Sequence, residues 1–322
     1  MLFLRIILAP LGAIYWLVSA FRNWLYNAQI LKSSSFDIPI ISVGNLSVGG
    51  NGKTPMIEHL IEVLQEEYNI AVLSRGYGRK STGFVEAVSD SKPNEVGDEP
   101  LQIKLKFKKI VVAVCEKRVD GVIEILAKHP DTNLVLLDDA FQHRAIARDI
   151  DIVLSDSTKP FTKDYILPIG RLREPRFGCK RADAVIWTKT RRETQNKTLD
   201  VTTFKSFTKY QEVKENNAVY GFSGLANNSY FKNYLKDNYS LTGFKGFTDH
   251  FKFEQQHLNK LVSLAGDSTL FCTEKDWVKI KLLNGAEKVK YIPIKTVIND
   301  EALFVNWLKN ALEETGKTNS TK

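Results

Sequence analysis

Residues 40–54 read Ile-Ile-Ser-Val-Gly-Asn-Leu-Ser-Val-Gly-Gly-Asn-Gly-Lys-Thr, and the order of those residue types decides the fold. The mostly apolar opening, 40–43, has the character of a buried strand. Downstream, Ile57, Leu60, Ile61 and Leu64 recur at helical spacing, so the glycine-rich stretch joins a strand to a helix. In that setting the backbone N–H groups of Ser47, Val48, Gly49, Gly50, Asn51 and Gly52 can close around phosphates. Lys53 then supplies a point charge and the Thr54 hydroxyl can hold Mg²⁺. The pattern is G-x-x-x-x-G-K-[ST] with Ser47 standing at the first position. A plain glycine-rich turn is the alternative, but Lys-Thr directly after Gly52, with a strand before and a helix after, favours a nucleotide site with ATP and Mg²⁺ as the expected ligands.

Short apolar runs follow the loop at 70–73, 110–114, 134–137, 152–154 and 184–187, several separated by helix-length segments such as 119–128. This alternation predicts an α/β fold: a P-loop NTPase-like, mostly parallel sheet with helices on both faces. Residues 190–217 turn polar, which places a domain boundary there. Beyond it, strands at 218–222, 270–273 and 289–294 suggest a second, smaller α/β domain, with a helix over 301–312 able to pack back on either unit. The expected organisation is an N-terminal helical segment over 1–30, a nucleotide-binding domain over 31–205 and the smaller domain over 206–322.

The 322 residues carry 45 Lys and Arg against 37 Asp and Glu, a net charge of +8, which favours an anionic partner without choosing among nucleic acid, membrane and phosphorylated substrate. Cys115, Cys179 and Cys272 are odd in number and lack C-x-x-C spacing, arguing against a disulfide framework or a structural zinc site. No charged residue occurs from 6 to 21, and Arg5 and Arg22 bracket the stretch, with Tyr15, Trp16 and Trp24 near its end. It is shorter than the roughly 20 residues needed to span hydrocarbon, and Pro10 and Gly12 interrupt it. An interfacial or tilted anchor on the cytoplasmic face of the membrane is the favoured reading, with Arg5, Arg22 and Lys32 near anionic headgroups. A secretory signal, with a weak cleavage site at 18–20, and a helix buried on a soluble core are the competing readings.

Several polar clusters sit where strands end. Asp138 and Asp139 close the apolar run 134–137, the position from which a carboxylate reaches Mg²⁺ beside bound phosphates. Asp98 and Glu99, between Gly97 and Pro100, are either the charged first turn of a helix or a proton acceptor for an attacking hydroxyl beside a metal-site contributor. Arg75 and Tyr77, Gln142 and His143, and Arg171 and Arg173 lie on loops suited to an anionic, sugar-like group, and Arg118 is a weaker candidate of the same kind. Thr273-Glu274-Lys275-Asp276 reads equally as a helix cap or as a base or ribose contact. Asp249-His250, read alone, is more often structural than catalytic.

Taken in order, 44–55, 75–80, 97–100, 138–144, 167–175, 249–250 and 273–276, with the apolar N-terminus, the chain resembles the tetraacyldisaccharide 4′-kinases of lipid A biosynthesis over residues 1 to about 295. The resemblance implies a membrane-associated kinase moving the ATP γ-phosphoryl group to the 4′-hydroxyl of an acylated disaccharide 1-phosphate, on the cytoplasmic face of the inner membrane. Carried over by position, it implies Asp98 as the catalytic carboxylate, His250 as the histidine assisting it, and Asp138 and Asp139 as the acidic pair. With Lys53 catalytic and Thr54 and Glu99 joining the pair at the metal, substrate contacts are expected at Asn45, Arg75, Tyr77, Arg118, Gln142, His143, Arg171 and Arg173. No nucleic acid and no obligate protein partner is expected. A membrane-associated P-loop ATPase switch is the competing class; it would share Lys53, Thr54 and Asp138 but leave Asp98 without a hydroxyl to deprotonate. A basic nucleic-acid binder is third, and no groove-reading motif supports it.

Overall fold

The computed structural model describes residues 2–190, 199–249 and 251–319. Along the chain the elements are α1 (Leu2–Asn27), β1 (Ile40–Asn45), α2 (Lys53–Leu64), β2 (Ile70–Ser74), β3 (Val85–Glu86), α3 (Pro93–Val96), α4 (Asp98–Lys106), β4 (Val111–Val114), α5 (Arg118–Lys128), β5 (Leu134–Asp138), β6 (Ile150–Asp156) and β7 (Ala184–Thr188). They continue with β8 (Thr202–Tyr210), β9 (Val219–Ser223), α6 (Ser229–Asn238), β10 (Leu241–Gly246), α7 (Gln255–Ala265), β11 (Thr269–Thr273), α8 (Glu274–Ile280), β12 (Val289–Ile292), β13 (Ile294–Ile298) and α9 (Glu301–Asn319).

Nine strands form one sheet in the order β13-β8-β7-β6-β1-β5-β2-β4-β3, parallel except at its two edges, where β13 and β3 run antiparallel. Side chains alternate across the strands as period two requires. Ile41, Val43, Val72, Leu136 and Ile152 pack with Ile57, Leu60 and Ile61 of α2 and with Phe304 and Leu308 of α9 on one face. Ile40, Leu73, Val135 and Leu137 meet Val122 and Ile125 of α5 on the other. Each fully buried Leu or Ile contributes about 1.5–3 kcal/mol relative to exposure, which is why the central strands are apolar at nearly every position. The expected mostly parallel sheet with helices on both faces is what forms.

A second sheet, β10-β9-β11-β12, is parallel throughout. It packs Phe222 and Cys272 against Leu258 and Leu261 of α7, and Phe271 against Phe231 and Leu235 of α6. The run read as one strand over 289–294 divides at Pro293: Ile292 registers with Thr273 in the small sheet, whereas Ile294 registers with Tyr210 in the large one. The stretch 190–217, read as a polar boundary, contains β8, and the boundary placed between 205 and 206 falls inside that strand.

Among the described residues one stretch, Arg5–Asn27 within α1, is long and apolar enough to cross a membrane by length and composition. Ile7, Leu11, Ile14, Leu17, Val18 and Phe21 are all exposed on α1. Its opposite side is tied down by polar groups: Tyr15 Oη donates to the Arg173 carbonyl (3.0 Å), Asn23 Nδ2 to Glu174 Oε2 (2.8 Å), and the Asn23 carbonyl accepts from Arg144 (2.8 Å). Arg5 lies over the Tyr165 ring at 5.1 Å and Arg22 donates to the Gln142 carbonyl, so both arginines engage the protein itself.

Candidate active site

In the parallel part of the sheet the carboxyl ends of the strands share one edge, so residues following β1, β5, β6 and β7 share one crevice. β1 lies between β5 and β6, with Val43 beside Asp138 and Asn45 beside Leu154. The chain can leave β1 past β5 because residue 44 is glycine: a Cβ there would lie 2.5 Å from the Phe141 Cβ and 2.9 Å from its backbone nitrogen. The loop then turns through Gly52, left-handed at φ 84°, into α2, so the helix opens with its N-terminal amides and Lys53 facing the crevice. Residues 172 and 47 pair as an antiparallel bridge, and the Val48 and Arg173 amides donate to the Arg171 and Leu46 carbonyls (both 2.8 Å), stitching the loop to residues 171–173.

Two adjacent carboxylates differ sharply in environment. Asp138 is buried; Oδ2 accepts from Ser74 Oγ (3.2 Å), while Oδ1 has no partner in the protein. Burial, reinforced by the nearby charge of Glu99, pushes its carboxyl up to about 7. Asp139, at φ 51°, accepts from Arg173 Nη1 (2.7 Å) and sits 3.8 Å from Lys53 Nζ. Burial pushes its carboxyl up, but Lys53 and Arg173 outweigh that and hold it below the ordinary aspartate range. The buried, unpartnered Asp138 Oδ1 at the end of β5, the strand next to the one that leads into the glycine loop, fits a hard divalent cation. Among the described residues no group of three or more His, Cys, Asp or Glu side chains forms a ready-made cage. Mg²⁺ typically keeps waters and shares its coordination between one or two carboxylates and substrate phosphates.

Asn45 ends β1 with both side-chain amide atoms buried and unpartnered, and its carbonyl accepts from Gln142 Nε2 (2.9 Å). Gln142 also donates to Glu174 Oε1 (2.9 Å), and Glu174 in turn accepts from Asn23 and from Arg181 (Nη2 to Oε2, 2.9 Å). This buried glutamate gathers α1, the 138–144 loop and the 171–181 segment at one point, a convergence that no local motif signals. His143 lies among Arg118, Arg22, Arg148 and Arg75; burial, with those charges, lowers its imidazole to about 4 and keeps it neutral at pH 7. Arg118 is buried, its guanidinium donating to the Cys115 (2.9 Å) and Asp138 (3.1 Å) carbonyls, so it ties the end of β4 to that of β5. Arg171 is held by Asp164 (2.8 Å) and the Lys159 carbonyl (2.9 Å). Arg75 and Tyr77 stand exposed after β2, on a loop whose Tyr77 carbonyl backs Gly97.

Asp98 and Glu99 open α4, so the helix-start reading is correct as local structure, and both side chains meet lysines of α8. Lys279 Nζ lies 3.8 Å from Asp98 Oδ2, and Lys275 Nζ lies 3.8 Å from Glu99 Oε1 and 3.5 Å from Asp249 Oδ1. Thr273 caps α8, accepting from the Asp276 amide (3.2 Å), and the buried Asp276 accepts from Thr273 Oγ1 (2.6 Å) and the Gly224 amide (2.9 Å). The 273–276 cluster is therefore a helix cap that aims two lysines at the first turn of α4. Lys279 was not legible as a site residue from the sequence. His250 lies outside the described residues.

Residues 4–313 match the family model described as Tetraacyldisaccharide-1-P 4′-kinase. The chain is 36% identical to the tetraacyldisaccharide 4′-kinase of Flavobacterium johnsoniae, covering 96% of this chain and 99% of that one. It is 33% identical to the corresponding kinase of Porphyromonas gingivalis, covering 95% and 97% respectively. A crystal structure of LpxK from Aquifex aeolicus, an "apo" form in complex with ATP, superposes with a TM-score of 0.82 at 32% identity, covering 96% of this chain and 99% of that one.

Proposed function

Since the chain belongs to the tetraacyldisaccharide-1-P 4′-kinase family, we propose that it transfers the γ-phosphoryl group of ATP to the 4′-hydroxyl of an acylated disaccharide 1-phosphate at the cytoplasmic face of the inner membrane. The observation that carries this reading is the meeting, at one sheet edge, of the glycine loop and Lys53 with Asp138, Asp139 and Arg173. In the transfer, the acceptor oxygen bonds to the γ-phosphorus as the bond from that phosphorus to the β–γ bridging oxygen breaks, and ADP leaves. The acceptor proton goes to the Asp98 carboxylate, for which Lys279 is a charged neighbour across the two sheets' units. His250 assists Asp98 on the strength of family resemblance. Lys53 and the loop amides bind and orient the phosphates, and Arg173 fixes Asp139 beside Lys53. Mg²⁺, held by Asp138 and Thr54 with Asp139 and Glu99 around them, would neutralise phosphate charge. Asn45, Gln142, His143, Arg75 and Tyr77 face the disaccharide 1-phosphate, while Arg118 and Arg171 act by shaping the loops that bind it.

The exposed apolar side of α1 is the membrane-seeking surface, and its other side anchors the helix to the loop bearing Arg173. Two substitutions test the assignment together. Asp98→Ala should abolish phosphoryl transfer with ATP binding within about threefold of wild type, whereas Lys53→Ala should weaken nucleotide binding as well. Equal transfer rates for wild type and Asp98→Ala would refute the general-base role, and absence of transfer by wild type would refute the kinase reading.

A further inference from the structure

On the side of β1 opposite Asp138, a lysine closes over the phosphate loop. Lys189 follows β7 directly and adopts φ 56°, a left-handed conformation that a non-glycine residue holds only where its surroundings impose it. Its Nζ donates to the Gly50 carbonyl (3.0 Å) and to Asp156 Oδ2 (2.6 Å). Asp156 ends β6 in register with Thr188, and its other oxygen accepts from the amide (2.9 Å) and hydroxyl (2.7 Å) of Thr158. The backbone is fixed too: the Ser157 amide donates to the Thr188 carbonyl (2.9 Å) and Ser157 Oγ to the Lys189 carbonyl (3.1 Å). Both ends of the lysine are thus set by the strand ends β6 and β7, and its ammonium bridges the Asp156 carboxylate and one carbonyl of the loop.

The consequence follows from peptide geometry. The Gly50–Asn51 bond is trans, so its C=O and N–H point in opposite directions across one plane. With the carbonyl held by Lys189, the Asn51 amide points away from that lysine. An inward carbonyl would oppose a phosphate oxygen; an inward N–H binds one. From this we infer that Lys189, held by Asp156, is a positioning residue for the nucleotide: it sets the Gly50–Asn51 peptide so that the loop presents a donor to the phosphates. The inference rests on the reading of this loop as the ATP site.

Lys189→Met removes the donor and charge while keeping the aliphatic stem. Hydrogen bonds to charged groups contribute enough that its KM for ATP should rise about tenfold, with kcat falling less than about threefold and the acceptor KM within about twofold of wild type. Lys189→Arg, which keeps charge and reach, should bring the ATP KM back to within about threefold. Combining Asp156→Asn with Lys189→Met should weaken ATP no further than Lys189→Met alone, since the carboxylate acts through the lysine. An ATP KM for Lys189→Met within about twofold of wild type, a loss shared equally by ATP and acceptor, or a Lys189→Arg enzyme as impaired as Lys189→Met would each overturn the inference. Wild-type protein that binds no ATP would overturn the nucleotide reading and this inference with it.

Discussion

Lys106→Met should destabilise the protein strongly at pH 8 and far less at pH 5. Lys106 Nζ lies 2.5 Å from Glu58 Oε2 and 3.9 Å from Glu274 Oε2, and it also donates to the Ile294 carbonyl (3.2 Å), so one ammonium joins α2, α4, α8 and β13. Glu58 keeps one further donor, Gln102 Nε2 at 2.7 Å. Burial raises the Glu58 carboxyl above its ordinary range, and burial with the Glu58 charge pushes Glu274 up to about 7 even with the lysine in place. Removing one partner of a buried pair costs about 3–5 kcal/mol because the other charge is left uncompensated. The Lys106 side chain is 20% exposed, so the lower end, about 3 kcal/mol at pH 8, is the expected cost. Both carboxyls titrate higher in the folded protein than when unfolded. The folded state therefore binds more protons above the unfolded pKa, near 4.5, with Glu274 setting a window up to about 7 and Glu58 shifted in the same direction, and stability falls as pH rises through that window. Loss of the lysine raises both groups further and steepens the fall. At pH 5, below the Glu274 value of about 7, that carboxyl is largely neutral, and the upward shift of Glu58 acts in the same direction, so the cost should shrink to about 1 kcal/mol, the value of the lost hydrogen bonds. Urea unfolding followed by tryptophan fluorescence at the two pH values measures this. A cost that is the same at pH 5 and pH 8, or below about 1 kcal/mol at pH 8, would refute the buried-charge argument.

Gly44→Ala should destabilise by about 1–3 kcal/mol, because its Cβ would meet the Phe141 Cβ at 2.5 Å and backbone nitrogen at 2.9 Å, and neither can withdraw without shifting β1 or the 138–144 loop; a change in unfolding midpoint smaller than about 0.5 kcal/mol would contradict that packing. Replacing Leu11, Ile14 and Val18 by serine removes apolar area from the exposed side of α1 and leaves Tyr15 and Asn23 on their partners, so sedimentation with anionic phospholipid vesicles should fall at least about tenfold with thermal stability little changed. Undiminished sedimentation would place the membrane contact elsewhere.

Much of the large sheet was readable because its central strands are buried on both faces and so appear as uninterrupted apolar runs between turn residues. β8 escaped because, among its nine residues, only Phe204 and Ser206 are buried; the rest of the strand is polar enough to resemble a linker. β13 was hidden for a different reason: Pro293 separates two strands that are continuous in hydropathy but belong to different sheets. Local order carried the phosphate loop, Asp138 and Asp139, since each motif lies within a few residues of a strand end. Contacts between distant segments had no such signal. Lys279 against Asp98, Glu174 gathering α1 with the 138–144 loop, and Lys189 over Gly50 are set by strand order and helix packing rather than by spacing. Arg118 shows the converse, a charged residue placed by sequence near the site that the fold spends on backbone carbonyls.

The most direct test of the kinase assignment is incubation of the purified full chain with γ-³²P-ATP, Mg²⁺ and an acylated disaccharide 1-phosphate in mixed micelles, with the label's position determined on the product. Label on the 4′-oxygen of the disaccharide, absent with Asp98→Ala, is the expected result. Release of the label as inorganic phosphate at a rate indifferent to the lipid would contradict it.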